Sequence, residues 1–454
     1  MATPDIADRL ASYTADLEAQ DIDERTRSAA KKRIVDSVAS GLGAVQVAEP
    51  AVDRAIEFSA RRPGDAQIIG TTRTAPVEYA GLANATLIRY LDWNDYHAEE
   101  NNRGDLSIGH ASSNLGALLA TADAYDCSGE DLLLATVLAY ELHLRFADEA
   151  SLFHDGLDHV NYGLVSSTLA AGKLKGLSEE ELAQAVNIAV SGHVALWQTR
   201  CGELTEWKGI AFGNTVRNAL VATEMAQSGI HGPSQIIEGE AGFANLLSHP
   251  IEFDTANFGG EGGSYRIHQT NIKQYPVCGA LQEPVECLFD IVDRHGLSPE
   301  DITEIEVLMP EDAIDLTAAD DEKWDPQNRN TADHSLPYCI ARVLVDGELG
   351  PRQFTDEKIT DPALRELFEM ITVTEDPDDR AVYVRTEDDT HEISIEQPRG
   401  HHERPFTDED VKAKLARARG VSVDSEQVKN IVEWVGDLES KSSISTLFSL
   451  SEVA

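Results

Sequence analysis

The sequence predicts a mainly α-helical protein, in which a large all-helical domain is interrupted by a smaller α+β domain. Three observations predict it: helical periodicity through about the first 250 residues, a glycine-rich break after them, and strand-like alternation beyond the break. Hydrophobic residues make up 42% of the 454-residue chain, which is enough for packed cores. The predicted limits are residues 1–265 and 405–454 for the helical domain and 266–404 for the smaller one.

The helices of the large domain are predicted by apolar spacing and by capping residues. Apolar residues at helical spacings mark the first helix: Ile6, Leu10, Tyr13 and Leu17. Ser178 and Glu181 form a predicted capping box before an alanine-rich run, and Ser128 precedes another apolar run in the same way. The abundance of Ala and Leu with few aromatic residues favours closely packed helices.

The smaller domain is predicted by a change of pattern after residues 258–264, where the density of glycine interrupts any regular element. Apolar residues then alternate with polar ones at 305–309, and again at 382–384 and 393–395 around a turn, which predicts a hairpin. A helix is predicted to start at Ser298-Pro299. Helical patterning returns after Thr407, so the chain is expected to rejoin the large domain.

The charge balance argues against polyanionic partners. The chain has 37 Lys and Arg residues against 80 Asp and Glu residues, a net charge of −43. No basic stripe is left for nucleic acid, and an anionic membrane surface is disfavoured for the same reason. The five cysteines are scattered and no uninterrupted apolar run is long enough to span a membrane, so a cytoplasmic protein is expected.

The excess of carboxylates predicts adaptation to molar salt. This net charge destabilises a compact chain by self-repulsion, and the Debye length falls from about 10 Å at 0.1 M salt to about 3 Å at 1 M. We therefore expect helical circular dichroism and activity in about 2 M KCl, and loss of both in about 0.1 M KCl. A full helical signal with full activity at the lower salt contradicts this prediction.

The densest polar cluster in apolar surroundings covers residues 91–100 and continues at 109–116. Helix capping accounts for the small polar residues at 112–114. It does not account for the acidic, amide and imidazole groups before them: Asp92, Asn94, Asp95, His97 and His110. We interpret this segment as a candidate catalytic segment.

A second cluster contains His154 and His159 before another apolar helix. Two histidines five residues apart do not share a helical face, so a metal pair is not predicted. One histidine near a helix start suits proton transfer, or else has only a structural role.

Two lysines are the sharpest indication of an anionic ligand. Only Lys208 and Lys273 lie between Lys175 and Lys323, and each stands among large apolar or aromatic residues. A buried ammonium group needs an anion, which is either a protein carboxylate or a bound ligand. The sequence leaves both alternatives open.

Taken together, these segments resemble the MmgE/PrpD superfamily, over essentially the whole chain and in the same order. Residues 91–116 resemble the family's Leu-Asp-aromatic-Asn/Asp-Asp and His-Pro-Ser motifs. Lys208-Gly resembles a family lysine before a small-residue helix, and Lys273-Gln-Tyr-Pro resembles Lys-x-aromatic-Pro. Residues 333–338, Asp-His-Ser-Leu-Pro-Tyr, resemble Asp-His-Ser-x-x-Tyr.

The resemblance implies a homodimer with a large helical domain, a smaller lid domain and a site in the cleft between them that needs no metal or organic cofactor. The site residues that it implies are Asp92, His110, His159, Lys208, Lys273 and Tyr338. We expect Asp92, His110, His159 and Tyr338 to be catalytic, and we expect substrate to be bound by Lys208, Lys273, Tyr96, Cys278 and His334. Tyr96 and Cys278 depart from the decarboxylase branch, which has Thr and His at these positions.

These residue types suit the elimination of water from a tricarboxylate, which removes a proton next to a carboxylate and protonates a leaving hydroxide. Lys208 and Lys273 are expected to hold substrate carboxylates. His110 and His159 suit proton transfer near neutral pH. Asp92 is expected either to act as the base or to orient a histidine.

The expected activity is that of a 2-methylcitrate dehydratase in propionate breakdown. The enzymatic alternatives are decarboxylation of cis-aconitate and epimerisation of a related polycarboxylate. An alternative of another class is a non-catalytic carboxylate-binding or scaffold protein that keeps the fold. Loss of substrate protons to deuterated water separates catalysis from binding.

Overall fold

The computed structural model describes residues 5–101, 104–260, 263–377 and 380–453, and it confirms a mainly helical fold with a small α+β part. No helix within these ranges is long and apolar enough to cross a membrane. The α-helices are α1 Ile6–Asp16, α2 Glu24–Gln46, α3 Pro50–Ala60, α4 Val77–Tyr90, α5 Leu115–Ala124, α6 Gly129–Glu149, α7 Gly163–Leu174, α8 Glu179–Gly192, α9 Trp207–Gln227, α10 Gln282–His295, α11 Glu311–Thr317, α12 Asp321–Trp324, α13 Arg329–Ala332, α14 Leu336–Asp346, α15 Asp356–Ile359, α16 Ala363–Phe368, α17 Asp408–Arg419, α18 Glu426–Gly436 and α19 Ser445–Ser451. The β-strands are β1 Ala66–Gln67, β2 Thr74–Ala75, β3 His97–Glu100, β4 Leu106–Gly109, β5 Glu304–Met309, β6 Ile371–Glu375, β7 Ala381–Arg385 and β8 Thr390–Ser394.

Close helix packing forms the centre of the helical part. α4 packs against α2, α5 and α9, while α7 packs against α6, α8 and α9. Glycines allow the approach: a Cβ at Gly81 of α4 would lie 2.6 Å from Leu220 of α9, and one at Gly116 would lie 2.3 Å from the backbone of Ala85. Such interiors have no spare volume, so the helices hold residues at their ends in fixed positions.

Three helix starts follow the sequence closely. Ser128, Ser178 and Thr407 each cap a helix through a complete capping box, at the amino ends of α6, α8 and α17. Three segments differ from expectation. Ser298 precedes only a short 3₁₀ turn, because β5 begins three residues after that turn ends. The predicted helical region also contains two antiparallel strand pairs, β1–β2 and β3–β4.

The smaller part of the chain is built on a four-stranded sheet in the order β6-β5-β7-β8. β5 pairs with β6 in parallel and with β7 antiparallel, and β7–β8 is the hairpin that the sequence predicts. Burial alternates along β5, as its apolar pattern predicts. α10 and α14 pack against each other, and α10 also packs on β7 and β8.

Most buried apolar residues fall into two large clusters. One unites residues between Ile6 and Ile272 with residues between Phe406 and Phe448, and the other lies between Tyr275 and Val384. α17 joins the first cluster by packing along α2. We propose these clusters as the cores of the two domains, with the limits given above. Of the glycine-rich segment 258–264, residues 261 and 262 lie outside the described part.

Candidate active site

Asp92 lies in the turn after α4 and is the centre of a buried charge cluster. Its Oδ1 accepts hydrogen bonds from Arg89 (2.7 Å) and from Nζ of Lys273 (2.5 Å), and its Oδ2 accepts one from Nζ of Lys208 (3.0 Å). Burial alone would raise the pKa of Asp92, but the charges of Arg89, Lys208 and Lys273 hold it well below its usual range. A carboxylate held in this way is a poor base. These four residues are called the Asp92 cluster below.

Backbone pairing brings the distant parts of the Asp92 cluster together. Tyr96 and Asn271 exchange two backbone hydrogen bonds of 2.9 and 2.8 Å, which sets the turn after α4 beside Lys273. Lys273 also donates to the backbone carbonyl of Asp92 at 3.0 Å, and its Nζ lies 5.5 Å from the centre of the Tyr96 ring. Lys208 comes from the first turn of α9.

The ammonium group of Lys208 is fully occupied by the protein. Its Nζ lies 2.8 Å from Oδ1 of Asp333 and 3.2 Å from Nδ1 of His334, in addition to its contact with Asp92. The side chain has no exposed surface. Of the two alternatives that the sequence leaves open for Lys208, the structure shows protein carboxylates as its anions.

A cavity of about 450 Å³ opens over this cluster and is lined by both parts of the chain. Its basic and imidazole lining residues are Arg89, Lys273, Arg200, His110, His159, His334, Arg380 and His401. Tyr96 and Cys278 also line it, whereas Lys208 lies behind its wall. The volume is in the range of ordinary small-molecule sites. The lining also includes six acidic residues: Asp92, Glu99, Glu100, Glu283, Asp312 and Glu396. The cations that favour an anionic ligand are Arg89, Lys273 and Arg200, whose charges act on His110 or His159.

His159 is presented to the cavity as a neutral acceptor. Its Nδ1 lies 2.6 Å from Oδ1 of Asp158, and Arg200 binds the same carboxylate through two nitrogens at 3.1 and 3.2 Å. Since a carboxylate only accepts, Nδ1 carries the proton and Nε2 keeps its lone pair. Among the described residues none hydrogen-bonds this Nε2. Burial lowers the pKa of His159 despite the opposing charge of Asp158.

His110 stands beside it, with ring centres 5.1 Å apart. Its Nδ1 donates to the backbone carbonyl of Asp95 at 2.9 Å, and its Nε2 accepts from Arg89 at 3.3 Å. Burial, followed by the charges of Arg89 and Lys273, holds the pKa of His110 well below its usual value. His110 is therefore neutral, but its lone pair is already engaged.

Other predicted residues have different surroundings. His334 faces the cavity between the carboxylates of Asp333 (2.6 Å) and Asp92 (3.4 Å), and burial lowers its pKa to about 3. Burial also raises the pKa of the Cys278 thiol, so this group is neutral. Asp95 accepts a hydrogen bond from the hydroxyl of Tyr140 at 2.8 Å. Its carboxylate therefore stabilises the turn after α4 and is not available to a ligand.

The structure does not bring Tyr338 to the cavity. Its side chain is fully buried, its hydroxyl donates to the backbone carbonyl of Gln353, and its ring packs against Phe354. His334 and Tyr338 are four residues apart but do not share a helical face, because α14 begins at Leu336 and His334 precedes the helix.

Four charged residues at the site were not identified from the sequence: Arg89, Asp158, Arg200 and Asp333. Arg89 could have been identified from the sequence. It lies within the apolar run of α4, and a buried arginine needs an anionic partner just as the two lysines do. Asp158 directly precedes a candidate histidine. Arg200 lies in a 3₁₀ turn with no local pattern that marks it.

Two groups of described residues place three potential metal ligands within 4.8 Å of one another. In the first, Asp92, Asp333 and His334 surround the ammonium group of Lys208, which occupies the place of a cation. The second contains Glu99, His401 and His402. There the backbone N–H of Glu403 donates to Nδ1 of His401, which leaves the proton on the Nε2 that faces Glu99. Neither arrangement presents a set of free ligands.

Comparison with known proteins covers both parts of the chain. Residues 8–256 match the MmgE/PrpD N-terminal domain, and residues 275–439 match the MmgE/PrpD C-terminal domain. The chain is 28% identical over 375 residues to the mitochondrial 2-methylcitrate dehydratase of Yarrowia lipolytica, covering 75% of this chain and 70% of that protein. It is 28% identical over 381 residues to the 2-methylcitrate dehydratase of Escherichia coli K12, covering 75% of each chain. It is 25% identical over 483 residues to the cis-aconitate decarboxylase of Aspergillus terreus, covering 98% of this chain and 95% of that protein.

Proposed function

Because the chain belongs to the MmgE/PrpD family, we propose that it is a lyase that eliminates water from 2-methylcitrate to give 2-methyl-cis-aconitate. Similarity to 2-methylcitrate dehydratases supports a lyase at the level of the family. The observation that carries the proposal is the neutral His159, whose free Nε2 faces a cavity that buried cations line.

The first chemical step is removal of a proton from the carbon that carries the methyl group, next to a carboxylate. His159 accepts this proton at Nε2, and Asp158 stabilises the imidazolium that forms, as an aspartate does in a catalytic triad. Arg200 holds Asp158 through two hydrogen bonds, which fixes the direction of the imidazole ring.

The second requirement is stabilisation of the negative charge that develops on the substrate carboxylate. Arg89 supplies fixed positive charge, and Lys273 supplies positive charge until it donates its proton; both side chains are buried and line the cavity. The electrons of the broken C–H bond form the C=C bond while the C–O bond breaks. We assign protonation of the leaving hydroxide to Lys273, whose pKa burial lowers. Asp92 holds both cations in place.

Two residues favour elimination of water over decarboxylation of cis-aconitate. Tyr96 and Cys278, which depart from the decarboxylase pattern, both line the cavity. Both departures therefore lie in the cavity that we propose as the substrate site.

Replacing Lys273 with Met is expected to lower kcat/KM for 2-methylcitrate by about 10²–10³, the usual effect of removing one fixed charge-stabilising group. Lys175→Met is the matched control, because Lys175 is also buried, pairs with Glu224 and lies 5.4 Å from the ring of Tyr125, outside the cavity. Steady-state kinetics on both variants checks this. Equal rates in the two variants contradict the assignment of Lys273.

The proposal is tested by incubating the pure protein in about 2 M KCl, where the surface charges are screened, with 2-methylcitrate, citrate and cis-aconitate separately. Mass spectrometry is expected to show loss of one water from 2-methylcitrate. Loss of CO₂ from cis-aconitate alone would identify a decarboxylase instead. Binding without any change in mass, and without exchange of substrate protons for deuterium in D₂O, would identify a non-catalytic carboxylate-binding protein.

A further inference from the structure

The floor of the cavity is supported from behind by α17, which takes no direct part in the proposed reaction. The buried side chain of Lys414 places its Nζ 2.5 Å from the backbone oxygen of Trp93 and 2.5 Å from Oδ1 of Asp36. Trp93 directly follows Asp92 in the chain. The contact therefore holds the peptide next to the centre of the Asp92 cluster.

A second residue of α17 contacts the segment that carries Lys273. Arg417 donates to the backbone oxygen of Gln274, and its guanidinium lies 4.9 Å from the centre of the Trp93 ring. The indole N–H of Trp93 donates to the same oxygen of Gln274 at 3.2 Å. Gln274 directly follows Lys273, so α17 contacts the chain neighbours of both Asp92 and Lys273.

The turn needs such support because Asp92 is strained. Its φ of +51° lies in the left-handed region, which is disfavoured for residues with a side chain, although Asp adopts it more readily than most of them. In this conformation Asp92 offers both its carboxylate and its backbone carbonyl to Lys273. Release of the turn would move the ammonium group that the proposed reaction uses.

We propose that Lys414 is a positioning residue, which holds the turn at Asp92 and so directs Lys273 toward the substrate. The inference rests on the proposed function for its effect on rate. Its structural part, the restraint of residues 91–95 and 272–276, is independent of the substrate.

The charge of Lys414 is balanced within the protein. Asp36 of α2 is its partner, and burial lowers the pKa of Lys414 to about 8 while it raises the pKa of Asp36. Other charged groups close to the pair are Arg33, Asp95, Lys273 and Arg417. Measurements at pH 7 therefore keep Lys414 protonated.

The test compares a single variant with a double variant. Lys414→Met alone leaves Asp36 buried without a partner and is expected to destabilise the fold. Asp36→Asn/Lys414→Met removes both charges and is expected to fold, yet to lower kcat about 10²-fold with a much smaller change in KM, since misplacement by about 1 Å has an effect of this size. Amide hydrogen exchange is expected to become faster in residues 91–95 and 272–276.

Lys173→Met is the matched control, because Lys173 also donates to a backbone carbonyl, that of Ala15, far from the cavity. It is expected to leave kcat and exchange in both segments unchanged. A double variant with wild-type kcat and wild-type exchange overturns the inference. If the wild-type protein converts none of the tricarboxylates, the proposed function fails, and unchanged exchange in the double variant then overturns this inference separately.

Discussion

Replacing His159 with Gln is expected to lower kcat for 2-methylcitrate by about 10²–10⁴, the usual contribution of a general base. Gln is polar and of similar size, and it can still hydrogen-bond Asp158, so the fold is expected to survive. It has no basic nitrogen to accept the substrate proton at the position of Nε2. Steady-state kinetics together with thermal unfolding in high salt checks both statements.

The pH dependence gives the same prediction a second readout. A general base acts only when it is unprotonated, so kcat/KM of the wild-type protein falls as the pH drops through the pKa of His159. Burial lowers this pKa, which places the acid limb of the profile below 6.5. His159→Gln is expected to lose this limb, whereas a variant of the exposed His154, His154→Gln, is expected to keep both limb and rate. Wild-type turnover by His159→Gln contradicts its role as the base.

Replacing Lys208 with Met is expected to lower the free energy of unfolding by about 3–5 kcal/mol, because the carboxylates of Asp92 and Asp333 then lie buried without their shared cation. Denaturant unfolding at high salt measures this loss. In the double variant Lys208→Met/Asp333→Asn part of the stability is expected to return, since one unpaired charge is removed.

The opposite outcome identifies a different role for Lys208. If the ammonium group binds a substrate carboxylate, Lys208→Met lowers kcat/KM and leaves the free energy of unfolding close to that of the wild-type protein. That result would contradict the structural role that the ion pairs with Asp92 and Asp333 support.

The parts of the fold that depend on local interactions could be predicted from the sequence. The capping boxes at Ser128, Ser178 and Thr407 start helices as expected, because a cap involves only residues three positions apart. The hairpin β3–β4 could not be predicted, since each strand has only four residues and β3 begins inside the polar cluster. Its pairing is decided by neighbours that are distant in the chain.

The candidate site shows the same limit. Lys208 and Lys273 have the same signature in the sequence, but only the fold shows that Asp333, far along the chain, faces Lys208. Tyr338 was expected at the site from the resemblance alone, whereas in the fold its hydroxyl donates to the backbone carbonyl of Gln353, away from the cavity. Arg200 reaches Asp158 across more than forty residues of intervening chain, so no local pattern reveals it.

Incorporation of deuterium from D₂O into 2-methylcitrate tests most directly that His159 removes the substrate proton during elimination of water. The reaction is allowed to approach equilibrium, so that rehydration of the product adds a deuteron from the solvent to the substrate carbon. The wild-type protein and His154→Gln are expected to place deuterium on the carbon that carries the methyl group, whereas His159→Gln is expected to do so about 10²–10⁴ times more slowly. Incorporation by His159→Gln at the wild-type rate, or none by the wild-type protein, would contradict this mechanism.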